Sequence, residues 1–128
     1  MATVTVTARS VPGVGEVLVN SSGYTLYMFE PDGHRQVTCT GVCAATWPPL
    51  KLPSGGVPAA GTGVKASLLG ADRDPEGGEV VTYNGWPLYT YTGDVQPDQA
   101  TGQGIDLNGG PWYVLRPSGT PVIPGPQS

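Results

Sequence analysis

Gly23, Leu26, Tyr27, Phe29 and Asp32 recur in the same order and spacing as Gly85, Leu88, Tyr89, Tyr91 and Asp94, 62 positions further along. Trp47 and Leu50 recur as Trp112 and Leu115 at an offset of 65, so the second copy carries a three-residue insertion between its two parts. Self-similarity at a fixed spacing constrains a chain more than any single motif, because each copy must fold alike. At 128 residues there is room for one domain or two closely paired halves. A unit this short buries its apolar face best against its twin. The expectation is a single β domain over 1–117, made of two repeats at about 16–52 and 78–117, with a Pro-rich tail at 118–128.

Local patterns place strands within each unit. Thr3 to Arg9 (TVTVTAR) alternates β-branched residues at period two, which suits a half-buried strand. Glu16 to Val19 and Tyr24 to Phe29 read as strands around an Asn-Ser-Ser-Gly turn, with Pro31-Asp32-Gly33 as a stop. Glu79 to Tyr83 and Trp86 to Tyr91 flank Asn84-Gly85, a pair that favours a type I′ hairpin turn. Pro87 lacks an N–H and belongs at an edge or a strand start. Trp112 to Leu115 is a last strand. Ala44 to Trp47 predicts one helical turn, ended by Pro48-Pro49. Leu52 to Gly63 reads as a connector, Val64 to Leu69 as a weak strand or short helix, and Val95 to Gly110 as a long polar loop. The fold class is therefore all-β: two pseudo-symmetric antiparallel hairpin units sharing one core, with a short helical turn near the cysteines.

Composition supports that class and excludes others. Gly (20) and Pro (14) punctuate short β-branched and aromatic runs, as in turn-rich β domains. Charged residues are 12%, against roughly 25% in an average domain. The net charge is −4, with six Lys plus Arg and no basic stripe, which argues against nucleic acid as a partner. No apolar run reaches the roughly 18 residues of a membrane helix. Met1-Ala2-Thr3-Val4 has neither the basic nor the apolar region of an export signal, so the expectation is that such a signal has been removed ahead of it.

Strand alternation places Tyr27 with Phe29, and Tyr89 with Tyr91, on one face, and Leu26 with Met28, and Leu88 with Thr90, on the other. Aromatic pairs of this kind build cores. The alternative is a stacking surface for carbohydrate or cofactor, with Trp47, Trp86 and Trp112 as further binding aromatics.

These residues resemble a bacterial family of secreted, lipoprotein-like repeats whose signature is Tyr-x-(Phe/Trp/Tyr)-x-x-Asp. The chain holds it twice, as YMFEPD (Tyr27 to Asp32) and YTYTGD (Tyr89 to Asp94). Cys39, Cys43, Trp47, Pro48, Pro49 and Leu50 match the family's Cys-x-x-x-Cys-x-x-x-Trp-Pro-Pro-Leu element. Asn84-Gly85-Trp86-Pro87-Leu88-Tyr89 matches a second, and Gly102-Gln103-Gly104 with Trp112-Tyr113-Val114 its closing segment. The resemblance covers about 17–117. It implies an exported envelope protein, often lipid-anchored, of unassigned biochemical function. The chain differs in having no export signal and no lipid-modified cysteine near its start, so an anchor is an expectation for the parent protein.

Cys39 and Cys43 hold the most reactive chemistry on offer. In a regular helix their Cβ atoms would lie about 5–6 Å apart, too far for the roughly 3.8 Å of a disulfide. Gly41 lets the loop leave helical geometry, which makes a disulfide feasible and, in an oxidising compartment, the default. The alternative is copper, held by Cys39, Cys43, His34 and Met28, since thiolate, imidazole and thioether suit Cu(I). Asp32 and Asp94 read as turn carboxylates that accept backbone N–H groups. Two carboxylates could also serve glycoside hydrolysis, but equivalent repeat positions do not push their pKa values apart. The acidic stretch Asp72 to Glu76 reads as a solvated turn, without calcium-loop spacing. Nucleophile elbows and phosphate-cradling loops are missing, so no catalytic residue is assigned and an enzyme is not expected. The expectation is a non-enzymatic binding or structural module of the bacterial cell envelope, secreted or surface-attached, with an envelope protein or glycan as partner and no cofactor. A redox or copper-handling role is the alternative, and a small hydrolase the third.

Overall fold

The computed structural model describes residues 3–33 and 36–123. The strands are β1 (Thr3–Val11), β2 (Gly15–Val19), β3 (Tyr27–Phe29), β4 (Lys51–Leu52), β5 (Val57–Ala60), β6 (Leu69–Arg73), β7 (Glu79–Tyr83), β8 (Trp86–Pro87), β9 (Asp106–Leu107) and β10 (Gly110–Val114). One short helix, α1 (Val42–Thr46), stands where the helical turn is expected. The strands make three small sheets, ordered β2-β1-β5, β3-β10-β9 and β4-β7-β6, with β8 added to β7. The chain is all-β, as its patterning predicts.

Turn chemistry sets the hairpins. Asn84 and Gly85 have φ of 52° and 84°, the two positive values a type I′ turn demands, and they join β7 to β8. Asn108 and Gly109 repeat the device at 59° and 110° between β9 and β10. This second Asn-Gly hairpin lies in what sequence reading treats as a long polar loop. Asn-Gly is a hairpin signal there as well, but only two residues of strand precede it.

Three further expectations are corrected. Leu52 to Gly63 is more than a connector: it contributes β5, which pairs in parallel with the first half of β1, from Thr3 opposite Val57 to Val6 opposite Ala60. The sheets are therefore not purely antiparallel. Pro58 is tolerated because β5 is an edge strand with β1 as its one neighbour. The return strand expected over 86–91 pairs with β7 through Trp86 and Pro87, and Leu88 N–H adds a last bond to Val81 O. Beyond Leu88 the chain changes partners, and Tyr89 bridges to Tyr27 and to Pro49. Finally, the expected tail does not leave the domain at 118. Gly119 N–H bonds Arg116 O, Val122 N–H bonds Val114 O, and Pro121 bridges Leu115, so the chain folds back on β10.

The two repeats interleave. β10, which carries Trp112, pairs with β3 of the first repeat, placing Trp112 opposite Phe29 and Val114 opposite Tyr27. In the other direction Thr90 N–H bonds Pro48 O and Leu50 N–H bonds Leu88 O. Leu18 N–H reaches Leu115 O, and Val81 N–H reaches Leu50 O. Each repeat's Trp-x-x-Leu segment is thus hydrogen-bonded to strands of the other repeat.

Alternation divides the buried residues into two clusters rather than the single core expected. One gathers Tyr27, Phe29, Trp47, Tyr89 and Trp112 with both cysteines. The other gathers Leu26, Met28 and Leu88 with Leu18, Val81, Tyr83 and Leu115. The predicted faces are correct, but both are covered. A short strand buried on both sides can bring aromatics to one cluster and aliphatics to the next.

Candidate functional site

Where the repeats meet, the backbones of Tyr27 and Tyr89 exchange two hydrogen bonds, Tyr27 N to Tyr89 O at 2.7 Å and Tyr89 N to Tyr27 O at 3.0 Å. Their side chains then cross. The Tyr27 hydroxyl donates to Asp94 Oδ2 at 2.6 Å, and the Tyr89 hydroxyl donates to Asp32 Oδ2 at 2.7 Å. Each Tyr is therefore bonded to the Asp of the other motif. These lengths are those of O–H groups facing carboxylate oxygens, the strong class of hydrogen bond.

The remaining carboxylate oxygens are held alike. Asp32 Oδ1 accepts from the Thr38 N–H at 2.9 Å and from the Thr38 hydroxyl. Asp94 Oδ1 accepts from the Thr101 N–H at 2.8 Å and the Thr101 hydroxyl at 2.6 Å. The turn reading of both aspartates is right that backbone N–H groups are accepted, but the donors lie six and seven residues downstream. The Tyr27 hydroxyl also accepts from the Gly102 N–H at 3.1 Å, and the Cys39 backbone N–H stands in the same relation to Tyr89.

Burial governs the electrostatics. It raises the Asp32 carboxyl above its ordinary range, and the nearby Asp72 charge adds to this, against the downward pull of Thr38 and Tyr89. Burial likewise raises both phenols far above the usual tyrosine value. The Asp94 hydrogen bond adds to the rise at Tyr27, and the charge of Asp32 at Tyr89.

An aromatic stack runs alongside this network. Phe29 stacks on Trp112 (centroids 4.2 Å, planes 21° apart), Trp112 on Trp47 (3.9 Å, 3°), and Trp47 on Tyr91 (4.1 Å, 22°). Tyr27 meets Trp47 edge-on at 5.4 Å, and Tyr89 meets Trp112 edge-on at 5.2 Å. The edge-on contacts are a favoured aromatic geometry, and the parallel rings are closely stacked. Each indole N–H has an acceptor: Trp47 Nε1 donates to Asn108 Oδ1 at 3.1 Å and Trp112 Nε1 to Leu107 O at 2.9 Å. Gly102 lies flat on the stack, where a Cβ would stand 2.7 Å from the Trp47 ring.

Trp47 and Trp112 are wholly buried, which corrects their reading as binding aromatics: no ligand can stack on a ring whose faces are already covered. Trp86 is half-buried against the second cluster. Near its hairpin, an open groove of about 490 Å3 is lined by Ser67, Gly70, Asp72, Thr82 and Asn84 among others.

Cys39 and Cys43 form a disulfide, with Cα atoms 5.2 Å apart. Gly41 between them has φ of 60°, the departure from helix that its sequence position allows. Trp47 N–H bonds Cys43 O at 2.8 Å, so the bridged loop sets the start of the Trp segment. Copper is the alternative reading of these residues. The sulfurs are bonded to each other and offer no thiolate, Met28 is buried in the other cluster, and His34 lies outside the described residues. Among the described residues, no group of three or more His, Cys, Asp or Glu stands close enough to hold a metal ion.

The acidic stretch is a turn whose Arg73, Pro75 and Glu76 are exposed, as expected, but Asp74 within it is not solvated. Asp74 is buried, accepting from Glu76 N–H at 2.9 Å and Lys51 Nζ at 2.8 Å. Burial presses its carboxyl upward, but the Lys51 ammonium and the Glu76 N–H outweigh this and leave it below the ordinary value. Glu76 Oε1 accepts from Gly41 N–H at 3.1 Å, tying this turn to the disulfide loop.

Sequence reasoning missed Thr38 and Thr101, and it placed Gly102 in the closing segment without a role at the tyrosine. A shift of 63 aligns Thr38-Cys39 with Thr101-Gly102 and would have extended the repeat through them.

Among the described residues, no helix is long and apolar enough to cross a membrane. No curated protein and no solved structure matches the chain. A family described as a secreted repeat of unknown function matches it twice, over residues 10–51 and 70–116, each match starting earlier than the repeats read from sequence. Together the two matches cover more than two thirds of the chain, which therefore belongs to this family of secreted repeats and carries the repeat in two copies.

Proposed function

We propose that this protein is a non-enzymatic module working outside the cytoplasm of a bacterium, in or on the cell envelope, where it binds an envelope protein or glycan or serves as a structural unit. Its two units are related by an approximate two-fold relation, each completing the other's core. The observation that carries this reading is the closure of the Tyr–Asp network. Tyr27, Tyr89, Asp32 and Asp94 are buried, and their hydroxyls and carboxylates bond one another and Thr38, Thr101 and Gly102. Groups used this way hold two repeats together. A hydrolase would need a carboxylate or nucleophile facing a cleft. The disulfide fits an oxidising compartment, as does membership of a family described as secreted. On this reading no cofactor is required, and recognition belongs to the outer surface, where Trp86 and the groove beside its hairpin are the places to look first.

Co-sedimentation with purified peptidoglycan sacculi and with washed envelope membranes tests the proposal. Saturable binding to one of them, reduced by Trp86→Ala in a protein that still melts cooperatively, is the expected result. Turnover of esterase, glycosidase or peptidase substrates that Asp32→Asn or Asp94→Asn abolishes without unfolding the protein would overturn it.

A further inference from the structure

The Phe29–Trp112–Trp47–Tyr91 stack and the two Tyr–Asp pairs are adjacent parts of one cluster. Three successive ring contacts of about 4 Å link the four stacked rings. Phe29, Trp112 and Trp47 are buried, whereas Tyr91 is only partly covered, so the stack reaches the surface at its Tyr91 end. Tyr27 meets both Trp47 and Tyr91 edge-on, at 5.4 and 6.2 Å, and Tyr89 meets Trp112 at 5.2 Å. With Cys39 and Cys43 bonded to each other, indole and phenol are the side chains most readily oxidised by one electron. Oxidation of a phenol to its neutral radical requires a proton acceptor, and a carboxylate oxygen already receives each hydroxyl at 2.6 or 2.7 Å.

We propose that this cluster is a redox-active relay, taking an electron hole from a high-potential, outer-sphere metal-complex oxidant at the Tyr91 end and storing it as a neutral tyrosyl radical on Tyr27 or Tyr89. The electron leaves Tyr91 or Trp47 for the oxidant, which is reduced by one electron. The stack passes the vacancy inward. At Tyr27 the O–H bond breaks, the proton moves to Asp94 Oδ2, and an electron fills the vacancy in Trp47. The products are a neutral phenoxyl radical, a protonated carboxyl and the reduced oxidant. At Tyr89 the same step uses Asp32 Oδ2 and Trp112. A small one-electron reductant such as ascorbate supplies an electron, the proton returns to the phenol, and the cycle closes. Thr38 and Thr101 fix the carboxylates from the far side, so each proton crosses one short hydrogen bond and stays inside the protein.

The test generates Ru(III) tris-bipyridine by illuminating the Ru(II) complex with persulfate as the sacrificial electron acceptor, in solution with the intact protein, freezes the sample within milliseconds and records electron paramagnetic resonance. A neutral tyrosyl signal is expected, unbroadened by a soluble paramagnetic chelate because the radical is buried. Tyr27→Phe and Tyr89→Phe should each lower its yield to about half, while Tyr24→Phe and Tyr113→Phe leave it unchanged. Asp94→Asn should remove the Tyr27 share. A signal that the chelate broadens, or that disappears in Tyr24→Phe or Tyr113→Phe, overturns the proposal. So does a signal unchanged in both buried variants. Tyr83 is also buried but lies in the other cluster, so Tyr83→Phe should leave the signal unchanged, and its loss there overturns the proposal. The chelate measurement uses the unaltered protein, so a broadened signal overturns the proposal even where a variant fails to fold.

Discussion

Tyr27 donates its hydroxyl hydrogen bond to Asp94, a residue 67 positions away, and not to Asp32, the aspartate of its own motif. Tyr89 does the converse with Asp32. The motif therefore acts between repeats. A single repeat would bury a phenol and a carboxylate whose partners belong to the other copy. Leaving a buried polar group unsatisfied costs about 1–3 kcal/mol, and more for a charged one. Against a domain stability of roughly 5–15 kcal/mol, two such losses are large.

A double-mutant cycle should expose the crossing. Tyr27→Phe keeps the ring and its aromatic contacts but removes the donor to Asp94, and we expect a loss of about 1–3 kcal/mol in urea unfolding. Tyr27→Phe combined with Asp94→Asn should cost clearly less than the sum of the two single changes, because the second change removes a group the first has already orphaned. Tyr27→Phe with Asp32→Asn should be nearer additive, since those residues share no hydrogen bond. Equal coupling in both cycles would mean that the motif does not act across the repeats.

Interleaving predicts that neither half folds alone. A division between Thr62 and Gly63 keeps β5 with β1 and leaves β10 and β3 in different fragments. Each fragment should lack a cooperative thermal transition. An equimolar mixture should regain tryptophan fluorescence and β circular dichroism, because Trp47 and Trp112 regain their stack. A sharp melting transition in either isolated fragment would contradict a core that needs both.

The disulfide should be present before any reagent is added. Alkylation without reductant is expected to leave the intact mass unchanged, and alkylation after reduction to modify both Cys39 and Cys43. The loop is short, so the chain-entropy contribution of the bond is near the low end of its range, about 2 kcal/mol. Replacing both cysteines with Ala should lower stability by an amount of that order. The position occupied by Cys39 in one repeat is held by Gly102 in the other, so the second repeat keeps its Tyr–Asp pair without a disulfide.

Much of this was legible in the residues. The 62-position offset gives the duplication, Asn84-Gly85 gives the hairpin, and alternation gives the two faces of the Tyr27–Phe29 strand. Local rules could not show which copy each segment pairs with, because the Tyr and Asp of one motif are equally compatible with a partner in either. Nor could they show β5. Val57 to Ala60 has weak strand propensity and contains a proline, and it is held as a strand by the open edge of β1, a tertiary circumstance. Trp47, which follows α1, and Trp112, on β10, read as candidates for binding because no local rule shows that the other repeat covers them. Interleaving covers both.

Acidification should move two buried carboxylates in opposite directions. Asp32 has its folded pKa raised above the ordinary value of 3.8, chiefly by burial. The folded state therefore binds a proton more readily there than the unfolded chain does. By linkage, Asp32 contributes stability that is fully present below the unfolded value and is lost as pH rises through the folded one. Asp74 is the reverse. Its folded pKa is lowered from 3.8 because Lys51 and the Glu76 N–H outweigh burial, so its contribution is present above that value and lost as pH falls through the folded one. Comparing each Asn variant with the wild type isolates the two effects. As pH rises above 3.8 and through the raised folded value, the advantage of the wild type over Asp32→Asn should shrink, then level off. Its advantage over Asp74→Asn should grow as pH rises toward and past 3.8, then level off. Urea midpoints measured at half-unit intervals from pH 2.5 to 7 would resolve both slopes, on the order of one proton at most for each residue. Two difference curves of the same sign would show that one carboxylate is held in the opposite charge preference. The Asp32–Thr38–Tyr89 contacts would then outweigh its burial, and the Tyr–Asp junction would be stabilised by ionisation.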